Sequence, residues 1–190
     1  MRHVYAAGLA IVIATLLVGP NLRADGATKY PTVQKLMEEA ATNYSNEEGT
    51  FKVISNHPLH IQISPLIPLK SPSDWIESTV HQEAVQTVFE AFIHTPVNAL
   101  TITVLPKTWE DSGKTGAPLT EFRVSLSVTR KRALALLNRY FPGKGFEDLV
   151  GTQDGGPDMP TKVFDALSSR SRDSHPGAET VFIELAQRGE

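Results

Sequence analysis

The amino-acid sequence predicts an α+β fold. The expected architecture is a small antiparallel or mixed sheet of three to four strands, one long amphipathic helix over about residues 72–94 packed across it, and shorter C-terminal helices. Three observations lead there. Ile76, Val80, Ala84, Val85, Val88, Phe89 and Phe92 recur at three- and four-residue steps, the period of one helix face. Leu100, Ile102 and Val104 alternate with Thr101 and Thr103, the period of a half-buried strand rich in β-branched residues. Phe122, Val124, Leu126 and Val128 repeat that alternation against Arg123, Ser125 and Ser127.

The long helix has punctuation at both ends. Ser71 is placed to cap free amides, Pro72 suits a first helical position, and Asp74 puts negative charge in the first turn. Pro96 disfavours helical geometry at Thr95, so the helix is expected to stop near His94. Glu77, His81, Gln82, Gln86 and Glu90 fall on the opposite side and are expected to face water. Each large apolar side chain buried by such a helix contributes roughly 1.5–3 kcal/mol before entropy is subtracted.

Upstream, Met1-Arg2-His3 is followed by an uncharged stretch, Val4–Val18, then by Gly19-Pro20 and the small residue Ala24. This is the layout of a secretory signal peptide over residues 1–24, with an uncleaved anchor through residues 4–22 as the other reading. Residues 25–49 form a polar segment with one short helix, built on Val33, Leu36, Met37, Ala40 and Ala41 and starting near Pro31 or Thr32. Residues 50–190 are expected to make a single α+β domain. Phe51, Val53, Leu59, Ile61 and Ile63 alternate across His57-Pro58, giving one bent strand or two short ones. Pro65, Pro68 and Pro72 stiffen a connector into the long helix, and strands joined through that helix would pair in parallel if adjacent.

Further along, Pro106–Thr120 reads as a long exposed hairpin loop. Thr129 caps a helix reaching Arg139–Phe141, with Leu134, Leu137 and Tyr140 or Phe141 inward. One helical turn at Phe146–Val150, a loop over Gly151–Pro160 and a short helix over Thr161–Ser169 follow. Thr180–Ala186 fits a strand or a helix, and Glu184, Ala186 and Gln187 tip it to a helix.

Composition narrows the function classes. The formal net charge is −3, and Arg2 and Arg23 lie in the N-terminal segment, so the processed chain is more acidic still. That disfavours general nucleic-acid binding. The chain contains no cysteine, so neither disulfides nor a lipidated N-terminal cysteine can form. There is no GxSxG, Ser-x-x-Lys, HExxH or phosphate-loop pattern. His57 and His60 flank a proline in an extended segment, and His81 and His94 stand about 140° apart around the helix, so no metal site is expected. Asp154 and Asp158 flank Gly155-Gly156-Pro157 without the alternation of a calcium loop. No cofactor is implied.

Two candidate surfaces remain. Arg130, Lys131 and Arg132 form a basic cluster at a helix start, where amides and basic side chains together suit an anion. Lys107, Trp109 and Lys114 mark the Pro106–Thr120 segment as a partner-binding loop. The expectation is an exported, non-catalytic binding or accessory module of the bacterial envelope, partnered by another envelope or secreted protein. A small secreted hydrolase-like enzyme, with His81 or His94 meeting an acid or hydroxyl between that loop and the long helix, is the alternative. An inner-membrane-anchored component of a secretion or conjugation apparatus is the third reading, requiring residues 4–22 to stay attached.

Overall fold

In the computed structural model, residues 27–40, 44–109, 115–152, 158–170 and 175–187 are described. The segment read as a signal peptide lies outside them. Among the described residues are five α-helices and nine strands in sheets of four, three and two strands, an α+β architecture. No helix among them is long and apolar enough to cross a membrane.

The main sheet takes β1 (Phe51–Asn56), β2 (Leu59–Ile63), β4 (Ala99–Val104) and β7 (Val124–Thr129) in the order β1-β2-β4-β7. His57-Pro58 splits the early apolar run into two strands, which pair antiparallel. Strand β2 then pairs with β4 in parallel, as the intervening helix requires, and β4 pairs with β7 antiparallel. Alternation sorts the residues: Ile61, Ile63, Leu100, Ile102, Val104, Leu126 and Val128 are buried. The opposite face carries a ladder of polar side chains. Thr101 and Ser127 share a hydroxyl hydrogen bond of 2.9 Å, Thr103 and Ser125 one of 2.8 Å, and His60 Nε2 reaches Thr103 Oγ1 at 2.9 Å.

Helix α2 (Ser73–His94) contributes the largest part of the core. It begins two residues after Ser71, and Pro72 occupies the cap position; the Ser71 hydroxyl instead donates to Pro68 O at 2.9 Å. Its end falls where the Pro96 constraint places it, with Thr95 extended at φ −130°. The helix is less one-sided than its sequence suggests. Thr79, Thr87, Ala91 and Ile93 are buried alongside the expected stripe, and His81, Gln82, Gln86 and Glu90 are half-buried. The reason is that α2 is covered on further sides by α1 (Val33–Glu39), α4 (Lys162–Ser168), α5 (Gly177–Ala186) and the 3-10 turn Phe146–Leu149. Val33, Met37 and Tyr44 join the same core, so the N-terminal segment packs with the rest.

Three local expectations are corrected. Strand β3 (Leu66–Pro68) forms within the proline connector and pairs in parallel with β5 (Lys107–Trp109), which pairs antiparallel with β6 (Thr115–Pro118). The described part of the Pro106–Thr120 segment is therefore largely a second sheet rather than a bare loop. Gly116, a loop signal in the sequence, is a strand residue there: a Cβ would lie 2.1 Å from Thr108 Oγ1 and 3.2 Å from Thr108 O. Strands β8 (Val150–Thr152) and β9 (Asp158–Pro160) likewise form a hairpin inside the segment read as a loop. In helix α3 (Arg130–Tyr140), capped by Thr129 Oγ1, the inward residues are Ala133, Leu136 and Leu137, while Leu134 is exposed.

Candidate functional site

The C-terminal end of α2 explains the basic cluster. The last carbonyls of a helix lack intrahelical donors and carry the negative end of its dipole. Arg130 Nε donates to Val97 O at 2.9 Å and its Nη2 to Thr95 O, while the guanidinium lies 5.2 Å from the ring centroids of both Phe92 and Phe146. Lys29 Nζ donates to Ile93 O and Tyr30 N to His94 O on the same helix end. Burial lowers the pKa of both Lys29 and Arg130, with Arg130 adding to the effect at Lys29.

Arg132 does for α5 what Arg130 does for α2. Its Nη2 donates to Glu184 O at 2.7 Å, in the last turn of α5. Arg139 and Tyr140 take the two carboxylate oxygens of Glu184, each at 2.6 Å. Lys131 is exposed. The three basic residues thus diverge. Two hold helix carbonyls, and the side chains do not converge on an anion site.

The loop candidates separate as well. Lys107 Nζ donates to Gly49 O at 2.8 Å, tying the second sheet to a turn where Gly49 takes φ +66°. Trp109 is exposed, as expected of an aromatic in this segment. Lys114 lies outside the described residues.

The histidines sit at packing interfaces. His81 Nδ1 meets Glu179 Oε2 at 2.5 Å and its ring stacks on Phe182 with centroids 4.0 Å apart. His94 Nδ1 donates to Thr28 O, 2.8 Å away; since a carbonyl only accepts, Nδ1 carries the proton there. Asp158 Oδ2 lies 3.9 Å from the same nitrogen. Each of the two meets an acid, but His81 does so within the helix and His94 at its C-terminal end, on partners other than the β5–β6 hairpin. Among the described residues no three His, Asp or Glu side chains are grouped to hold a metal ion.

The arrangement with most chemical content is a cleft of about 630 Å³ beside the first half of α2. Its helix-borne residues, Trp75, Thr79, Gln82 and Glu83, follow three- and four-residue steps, so the helix itself lines them up on one side. Across from them stand Tyr44 and Arg170 from the flanking segments and Leu66 from β3. Arg170 Nη1 donates to Thr79 Oγ1 at 2.8 Å, and Thr79 Oγ1 donates to Trp75 O at 2.8 Å. The Arg170 guanidinium lies over the Trp75 ring, 5.0 Å from its centroid, a cation–π contact. Deeper, Tyr44 donates its phenolic proton to Glu83 Oε2 at 2.6 Å.

Burial raises the pKa of Glu83 against the opposing effects of the Tyr44 hydrogen bond and Arg170. Tyr44 is pushed above its ordinary range by burial and by the Glu83 carboxylate. Seven residues on, Glu90 is raised to about 7 by burial and then by Glu83. The cleft therefore offers a fixed cation, a half-buried carboxyl with an elevated pKa, an indole and an apolar wall. Its serine closes a local turn: Ser45 Oγ accepts the Glu47 N–H at 3.1 Å. Sequence reading nominated none of these residues as a site. Only the helical spacing of Trp75, Thr79 and Glu83 was visible, and the partners Tyr44 and Arg170 are far away along the chain.

Comparison with protein-family models, with curated proteins and with solved structures returned no match.

Proposed function

We propose that the protein is an exported, non-catalytic binding module that holds a peptide segment of another envelope or secreted protein in the Tyr44–Trp75–Arg170 cleft. The observation that carries this reading is the Trp75–Arg170 stack at an open cleft, with Trp75 37% and Leu66 40% exposed. Trp, Tyr and Arg are the residue types that most often dominate binding energy at protein interfaces. Glu83, Gln82 and the Arg170 guanidinium supply directional polar partners around an apolar contact, which suits a peptide better than a purely apolar ligand. Export rests on the N-terminal charge and hydropathy layout, and the alternative, an anchored accessory component, rests on the same residues 4–22.

Affinity capture from a periplasmic extract tests the binding reading. A bound protein is expected to be recovered by the native chain and reduced at least about tenfold by Trp75→Ala combined with Arg170→Ala, each a hot-spot truncation. Capture of nothing above controls, or of a partner indifferent to both substitutions, would count against the cleft. Intact mass with membrane fractionation decides the rest. A soluble product lacking about 24 residues means a free exported domain, and a full-length product in the membrane fraction means an anchored one.

A further inference from the structure

We infer that the protein forms a two-fold dimer by pairing strand β7 with β7 of a second copy, antiparallel, centred on Leu126. Strand β7 is an end strand of the main sheet, and its main-chain polarity can be read from its neighbours. Leu105 N donates to Ile63 O, so odd-numbered residues of β4 turn their main-chain groups to β2 and even-numbered ones to β7. Arg130 N donates to Asn98 O, which fixes the even-numbered residues of β7 as those facing β4. Ser125, Ser127 and Thr129 consequently direct their N–H and C=O groups away from the sheet. All three are exposed, and the Ser125 and Ser127 main-chain groups have no partner among the described residues.

The two edges of the sheet are treated differently. Edge strand β1 carries Lys52 and a bulge between Val53 and Ser55, both features that discourage pairing with another chain. Strand β7, Val-Ser-Leu-Ser-Val-Thr, holds no charge and no proline, and its register with β4 is unbroken. Its first five residues, 124–128, read the same in both directions about Leu126. Antiparallel pairing there lets Ser125 of each copy exchange main-chain hydrogen bonds with Ser127 of the other. The same face stays apolar inside and hydroxylated outside across the junction. Charge agrees with this centre. Exposed Glu121, in the 3-10 turn just before β7, and exposed Lys131, in the first turn of α3 just after it, flank the strand, so antiparallel pairing sets the Glu121 end of each copy beside the Lys131 end of the other. Lys131, the one member of the basic cluster that holds no helix carbonyl, thereby finds an acidic partner.

Sedimentation velocity on the purified protein, from roughly 1 to 100 micromolar, tests this. A concentration-dependent dimer is expected. Ser127→Pro removes an outward N–H at a position where an edge strand tolerates proline, and should weaken association at least about tenfold with the circular dichroism unchanged. Glu121→Lys should weaken it several-fold, and the double variant Glu121→Lys with Lys131→Glu should restore it, a readout that does not depend on the proline variant folding. A monomer throughout the range would overturn the inference. So would a dimer that both Ser127→Pro and Glu121→Lys leave unchanged.

Discussion

Glu90 lies on α2 seven residues after Glu83, half-buried and raised to about 7 by burial and by that neighbour. A carboxyl whose folded pKa exceeds its unfolded value stabilises the fold fully below the unfolded value of 4.5, and that contribution is lost as pH rises to about 7. Glu83 is shifted in the same direction, whereas Asp148, lowered by Lys144, acts in the opposite sense below its ordinary 3.8. The melting temperature is therefore expected to fall between about pH 5 and pH 8, and Glu90→Gln should flatten that fall. The full shift is worth about 3 kcal/mol, and partial solvent access brings the expected gain at pH 8 to about 1–2 kcal/mol. An unchanged slope in Glu90→Gln would refute the assignment. Tyr44→Phe deletes the donor to Glu83 and should cost about 1–2 kcal/mol in urea unfolding, more at pH 8 than at pH 5. None of this was legible in the sequence. Glu90 falls on the side of α2 that periodicity assigns to water, and only the chain segments folded over that side turn it into a half-buried acid.

At the scale of elements, capping was the most readable feature. Thr32, Thr129 and Thr161 each accept an amide of the following turn, and the first two were expected to mark their helix starts. Thr129→Ala should cost about 1 kcal/mol, measured by denaturant unfolding. Arg130 was expected to serve an anion site at the start of α3, where a cation opposes the helix dipole; its guanidinium instead serves the end of α2, which no local pattern can reveal. Arg130→Lys keeps the charge but loses the fork that spans two carbonyls and the flat face against Phe92 and Phe146. A loss of about 2–3 kcal/mol is expected, and a change under about 0.5 kcal/mol would remove the helix-end role. The short strands β3, β5 and β6 escaped sequence reading because alternation over three or four residues carries almost no signal beside Pro65, Pro106 and Gly116. Their pairing comes from position, since β3 and β5 continue from β2 and β4, already side by side.

For the whole molecule, the α+β class followed from element order, and helix length gave the parallel sense of the β2–β4 pair once the two strands lie side by side. The cleft did not, because Tyr44, Glu83 and Arg170 meet only after the chain has wrapped α2 from both termini. With no cysteine anywhere, packing alone resists unfolding, and the midpoint in urea should be the same with and without a thiol reductant.

The position of β4 between β2 and β7 has a consequence for the nascent chain. Until Val104 has been delivered, the β1–β2 hairpin has no inner neighbour and α2 has no completed surface to lie on. Short hairpins and lone helices are marginal in water. A polypeptide ending before Ala99 should therefore be extended and protease-sensitive, and the chain stays threadable through a narrow channel until its second half arrives.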